Sequence, residues 1–248
     1  MRIRQIALVA RQLEPVVASL ERVLGIEVCF RDPEIGVFGL ENAVFPVGDT
    51  FLEVVSPLRP DASAARLLER RRGDGGYMVI LQCEDLQKQR RRLEELGVRV
   101  VWETAFPDIA TVHLHPRDVG AAILSFDEAR PPGSWRWAGP DWESRVRTGV
   151  VTGIAGAELQ SPDPAALAER WSQVLAHPAR PLPGAAHEIE LEGGRLRFVA
   201  ESDGRGEGLS GLALRVVDPA RPLAAARELG LPLFDDEVEI CGTRMRFV

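Results

Sequence analysis

The sequence predicts an α+β fold of four βαβββ units used in pairs. Three observations predict it. Four apolar strands recur along the chain, at Ile3–Ala10, Tyr77–Cys83, Val151–Leu159 and Leu209–Val216. Each is followed by a helical pattern, at Leu13–Leu24, Leu86–Leu96, Pro164–Val174 and Pro219–Leu229. Each unit then closes on a strand, at Thr50–Val55, Ala121–Phe126, Arg195–Ala200 and Thr243–Val248. A repeat at this spacing sets the architecture before any single element does.

The first strand is almost continuously apolar, so both of its faces are expected to be covered. Leu13, Val16, Val17, Leu20, Val23 and Leu24 recur at helical spacing and form one stripe. Gly25 follows and suits a left-handed helix end. Gly36, Gly39 and Gly48 mark turns between the next strands. Arg59–Asp74 is polar, with a short helical pattern at Ala62–Arg72, and connects the first unit to the second. There Leu86, Leu93 and Leu96 form the stripe and Gly97 ends the helix. Strands are expected at Val98–Glu103 and Thr111–His115, with a turn at Pro116–Gly120.

Asp127–Gly149 breaks the pattern. It holds Trp135, Trp137, Trp142 and two Pro/Gly clusters, too apolar for a free linker. It is expected to pack across the joint between the halves; a ligand platform is the other reading of its rings. Asp163-Pro164 and Asp218-Pro219 start the last two helices alike, since Pro is tolerated in a first helical turn. Their stripes are Leu167, Trp171, Val174 and Leu223, Ala226, Leu229. Pro178, Pro181 and Pro183 should shorten or remove the second strand of the third unit. The domains implied are 1–128, a connector at 129–149, and 150–248.

With 248 residues and a net charge of -7, the chain is expected to be soluble and globular, with no nucleic-acid partner. The basic runs Arg70–Arg72 and Lys88–Arg92 fit a solvated helix face; an anion-binding rim is the functional alternative. Cys29, Cys83 and Cys241 are far apart, with no zinc or disulfide spacing. Cys29 and Cys83 are expected to be buried thiols, which fits a reducing compartment. No run approaches ~18 apolar residues and no signal-peptide core is visible, so a cytoplasmic protein with no membrane partner is expected.

Several segments together resemble the vicinal oxygen chelate superfamily of glyoxalases, bleomycin resistance proteins and dioxygenases. In the first half they are IRQIALVARQLEPVVASLERVLG at 3–25, TFLEVVSPL at 50–58, GGYMVILQCEDL at 75–86 and VHLHPRDVGAAILSF at 112–126. The last is similar to the His-Pro hairpin of the glyoxalase I and methylmalonyl-CoA epimerase branches. The second half matches more loosely, at 153–175 and 208–230. The resemblance implies two glyoxalase-like domains with curved mixed sheets, the first with the fuller cavity and the second shortened.

It also implies a divalent metal held by one residue from each first strand and one from each last strand. The matching positions are Gln5, Glu53, Met78 and Ser125, then Gly156, Arg197, Gly211 and Arg246. Only Glu53 is a good hard-metal ligand. Gln5 is a weaker one, Met78 is a soft thioether, and Arg repels a cation. No metal or other cofactor is therefore expected. Gln5, Met78 and Ser125 are instead ligand-binding candidates, with a small organic molecule as partner.

Glu53 stands alone in an apolar strand. On a cavity wall its pKa would rise and suit a general base. Pairing with an Arg, or exposure to solvent, is the alternative. His113 and His115 share a strand face. His113 is read as opposite Ile123 and as a candidate base, and His115 as part of the turn. Three functions stay open: metal-free binding of a small organic molecule, a lyase, isomerase or epimerase using Glu53 or His113, and a structural or regulatory member. A homodimer also stays open.

Overall fold

The computed structural model describes residues 1–248. The first unit runs β1 (Arg2–Val9), α1 (Leu13–Leu24), β2 (Leu40–Val47) and β3 (Thr50–Pro57). A connecting α2 (Ser63–Arg70) leads to β4 (Gly75–Gln82), α3 (Leu86–Glu95), β5 (Val100–Ala105), β6 (Ile109–Leu114), α4 (Pro116–Val119) and β7 (Ile123–Ala129). The third unit is β8 (Val151–Ser161), α5 (Pro164–Leu175), β9 (Ala179–Pro181), β10 (His187–Leu191) and β11 (Gly194–Ala200). The fourth is β12 (Gly208–Val216), α6 (Ala220–Glu228), β13 (Leu233–Phe234), β14 (Glu237–Ile240) and β15 (Thr243–Phe247).

The strands make two curved, open mixed sheets. Their orders are β2-β3-β1-β4-β7-β6-β5 and β13-β14-β15-β12-β8-β11-β10-β9. The chain divides into two compact units. One comprises Met1–Arg4, Met78–Arg136 and Gly156–Leu209; the other comprises Gln5–Tyr77, Trp137–Ala155 and Ser210–Val248.

In the unit containing Gln5–Tyr77, the α1 stripe is buried as its spacing requires: Leu13, Val16, Val17, Leu20, Val23 and Leu24. Burying each such side chain stabilises by about 1.5–3 kcal/mol relative to leaving it exposed. Gly25 takes φ +64 and its N–H bonds to the Glu21 carbonyl at 3.0 Å, closing the helix. Ile6, Leu8, Leu52, Val54, Ala43 and Phe45 are all fully buried, as the alternate strand positions on one sheet face should be. Of the three strands expected after α1, the first is replaced by an isolated bridge at Phe30 and a 3-10 turn at Pro33–Phe38, and the other two are β2 and β3.

In the unit containing Met78–Arg136, Val79, Leu81, Val112, Leu114, Leu124 and Phe126 fill the corresponding face. Leu167, Trp171 and Val174 of α5 are buried beside Phe198, whose ring lies 5.9 Å from that of Trp171. The Pro-rich segment after α5 leaves only the three-residue β9.

Several local expectations change. Pro116–Gly120 is a one-turn helix rather than an open turn, because Pro116 fits its first position and the His115 ring accepts the Arg117 N–H at 3.1 Å. The closing strand continues past Phe126 to Ala129, so Asp127 belongs to β7 and the break in the pattern begins after it. His113 pairs with Ser125, not Ile123, because α4 takes up the intervening residues. Leu229 is exposed, and Pro222 with Ala226 forms the α6 stripe. Cys83 is buried, but Cys29 is only half-buried, since it precedes a single bridge rather than lying in a strand.

Candidate functional site

Strand register places the matched positions identically in all four units. Gln5 pairs with Phe51, and Glu53 lies two residues further along β3. Met78 pairs with Ile123, and Ser125 lies two residues on. Gly156 pairs with Arg195, two before Arg197, and Gly211 pairs with Arg244, two before Arg246. A two-residue step keeps a side chain on the same sheet face, so each pair shares one face. The fourfold alignment is therefore geometric as well as sequential.

In the unit containing Gln5–Tyr77, that face carries a buried polar cluster. Gln5 Nε2 donates to Glu53 Oε2 at 2.8 Å, and Asn42 Nδ2 donates to Glu53 Oε1 at 2.7 Å. Asn42 Oδ1 in turn accepts the Asp32 backbone N–H at 2.8 Å. That bond fixes which end of the Asn42 amide faces the carboxylate. Burial raises the Glu53 pKa, partly offset by the Asn42 and Gln5 hydrogen bonds, with the Asp32 charge raising it further. The Tyr77 hydroxyl, 3.1 Å from Ser63 Oγ, is also raised, mainly by burial and in part by the charge of Glu53. Phe51 lies two residues before Glu53 on the same face, with the Trp142 ring edge-on at 5.0 Å. Neither an Arg partner nor an outward orientation accounts for Glu53. It is 7 % exposed and its two bonds are to amides.

The unit containing Met78–Arg136 holds a second cluster. Thr111 Oγ1 is 3.0 Å from Ser125 Oγ and donates to Asp127 Oδ1 at 2.9 Å, and Ser125 Oγ donates to the same oxygen. His113 lies beside Ser125 in register, with its ring tilted against Trp102 at 4.5 Å. Burial lowers the His113 pKa to about 4, so its imidazole is neutral at pH 7. Met78 is buried on the same face. Gln5 and Glu53 thus meet in one unit, while Met78, His113 and Ser125 share a face in the other.

The metal implied by the resemblance is tested by these donors. Met78 offers only sulfur. A side chain at Gly156 would meet the Arg195 carbonyl oxygen at 2.7 Å, so the position cannot carry a metal-ligating side chain. Arg197 is ion-paired to Glu158 at 3.5 Å and Arg246 to Glu237 at 2.7 Å. Nowhere do three or more His, Cys, Asp or Glu side chains gather in a way that would hold an ion. The residues present do not fit a divalent metal of the kind the resemblance implies. Burial raises the thiol pKa of both Cys29 and Cys83 to about 12, so neither is a ready thiolate.

Sequence reasoning missed Asn42, Thr111 and Asp127. Asn42 is a lone amide in the apolar run of β2, which was a usable signal. Asp127 has the parity of Ser125 and needed only a longer β7.

Paired βαβββ units with this register define a vicinal oxygen chelate fold. The chain belongs to the glyoxalase-like domain family, whose profile matches residues 6–175. It is 25% identical over 131 residues to the mitochondrial methylmalonyl-CoA epimerase of Bos taurus, covering 52% of this chain and 74% of that one. It is 26% identical over 132 residues to the ethylmalonyl-CoA/methylmalonyl-CoA epimerase of Cereibacter sphaeroides, covering 51% and 97%. A variant of 4-hydroxymandelate synthase from Streptomyces coelicolor superposes with a TM-score of 0.69 at 18% identity, over 92% of this chain and 75% of that one. That likeness shows the fold across nearly the whole chain. No helix is long and apolar enough to cross a membrane.

Proposed function

We propose that this chain binds a small organic molecule against the Gln5–Asn42–Glu53 face, without the metal its superfamily commonly uses. The observation that carries the reading is the cluster itself. Glu53 occupies a ligand position, yet its oxygens are held by two amide N–H donors, and the equivalent positions in the other units are Met, Ser, Gly and Arg. Buried polar groups on a mostly apolar wall give orientation and specificity to a small ligand. Met78 and Ser125 are separate binding candidates within the unit containing Met78–Arg136. Thermal-shift screening of the purified chain against small acids, amines, thiol conjugates and acyl-CoA compounds tests this. Stabilisation that Glu53→Gln weakens supports it. A library without effect removes it.

A second reading is favoured by the epimerase relatives and by the raised Glu53 pKa. In it Glu53 takes a proton from a carbon next to a carbonyl, and the enolate is reprotonated. His113, held near 4, is the weaker base of the two candidates. Incubation with methylmalonyl-CoA in D2O distinguishes the readings: deuterium at C2 that disappears in Glu53→Gln supports proton transfer, and no incorporation rejects it for that substrate.

A further inference from the structure

The cluster around Glu53 stabilises an anion but supplies no counter-charge. Asn42 cannot turn its oxygen toward the carboxylate, because that oxygen already accepts the Asp32 N–H. Asn42 is thereby fixed as a donor, and Gln5 turns its nitrogen to the other oxygen, an arrangement that suits a carboxylate. The bonds to Glu53 come from amides, and the charge of Asp32 beside it is negative. Arg31, beside Asp32 in sequence, is engaged elsewhere, with its guanidinium bonded to both Glu14 oxygens at 2.8 and 3.1 Å. A buried anion without a cation is unfavourable, and a charge brought from outside relieves it.

The surroundings define what kind of charge. A hard metal needs several oxygen donors, yet the Asn42 carbonyl is occupied and the Gln5 amide turns its nitrogen to Glu53. Aromatic groups are at hand instead. Phe51 shares the face of Glu53, and Trp142 stands edge-on to Phe51. A carboxylate with an aromatic side chain on its own sheet face suits an organic cation better than a hard metal, since ammonium groups combine ion pairing with attraction to aromatic rings.

We infer that the ligand of this site is a small organic cation, an amine or quaternary ammonium compound, whose positive group pairs with Glu53. The inference rests on the binding reading above and names its ligand class. The full chain is to be screened by thermal shift with choline, benzylamine and benzyltrimethylammonium. Benzyl alcohol, benzoate, acetyl-CoA and the chlorides of Mg²⁺ and Mn²⁺ run in parallel. Cations are expected to raise the melting temperature in a saturable way, with benzyl alcohol and benzoate silent. Glu53→Gln should weaken cation binding at least about tenfold, and Glu53→Asp, which keeps the charge, should retain the preference for cations. The wild-type ranking stands as a test even if a variant does not fold.

Saturable binding of benzoate or acetyl-CoA with the cations silent overturns this inference and leaves the binding reading intact. Equal effects of benzylamine and benzyl alcohol, or cation binding unchanged in Glu53→Gln, also overturn it. A shift with Mg²⁺ or Mn²⁺ lost in Glu53→Gln overturns it in favour of a metal site. A silent panel counts against both readings.

Discussion

Asn42 and Glu53 are joined by a 2.7 Å hydrogen bond in which the amide is committed as donor, because its oxygen is held by the Asp32 backbone. The bond links the loop before the 3-10 turn to the polar heart of the β1-β3-β2 face. Replacing Asn42 with Leu leaves one Glu53 oxygen and the Asp32 N–H without partners in a buried setting. Such groups cost about 1–3 kcal/mol each. Asn42→Leu is expected to lower stability in urea denaturation by about 2–4 kcal/mol, while Asn42→Asp tests charge, placing a second carboxylate against Glu53.

Glu53→Gln should behave differently. A glutamine there presents one oxygen and one nitrogen. Asn42 is fixed as donor and takes the oxygen, leaving the new nitrogen to face Gln5, whose amide can turn its own oxygen inward. The same substitution removes a desolvated charge. Stability at pH 7 is expected within about 1 kcal/mol of wild type, measured by the same denaturation, so loss of ligand binding would report the site and not the fold.

Two titrating groups, buried Glu53 and half-buried His113, pull the pH dependence in opposite directions. Glu53 has a folded pKa raised above 4.5, so the folded state binds more protons and stability falls as pH rises from about 4.5 through the folded value. His113 has a folded pKa lowered from 6.5 to about 4, so its contribution is complete above 6.5 and is lost as pH falls toward 4. Each slope is at most about 1.4 kcal/mol per pH unit. Denaturation curves between pH 4 and 7 should therefore be shallow in the wild type. Glu53→Gln should make stability rise more steeply with pH, and His113→Gln should make it fall. Parallel curves for all three would show that neither shift exists.

These behaviours were only partly legible in the sequence. The four strand-helix starts and the Gly25 and Gly97 helix ends could be read because they depend on local periodicity and on φ near +65. The ligand positions could be aligned because parity along a strand is local too. What could not be read was who satisfies whom. Asn42 meets Glu53 only because β2 folds back onto β3, and Asp127 joins Ser125 only because β7 outlasts its apolar run. The His113 register slipped for a similar reason: a Pro-started helical turn consumes residues that an open hairpin would not.

The Thr111–Ser125–Asp127 cluster makes a graded prediction. Thr111→Val preserves shape and leaves the Ser125–Asp127 bond in place, so the expected loss is about 1 kcal/mol. Asp127→Ala removes the acceptor shared by two buried hydroxyls and opens a small void, with an expected loss of about 2–4 kcal/mol. The Asp127→Ala loss should shrink when measured in the Thr111→Val background, since the two act through one oxygen. Additive losses from denaturation of the four proteins would mean that the hydroxyls and the carboxylate do not form one network.

Gly48 offers the sharpest test of the backbone packing behind the site. It sits at φ +64 between β2 and β3, and a Cβ there would lie 2.2 Å from the Thr152 carbonyl oxygen. Both the left-handed conformation and the contact oppose any side chain. The neighbouring Thr50 Oγ1 accepts the Ile154 N–H at 3.0 Å, so the segment after the connector is pinned to this turn and cannot simply move away. Gly48→Ala should lose at least about 2 kcal/mol and, by displacing β3, weaken ligand binding as well. Gly36→Ala is the control. It has open space and no left-handed φ, so its melting temperature should match wild type or exceed it slightly. Equal melting temperatures for the two variants would show that the turn and the segment at Thr152 are not packed as described.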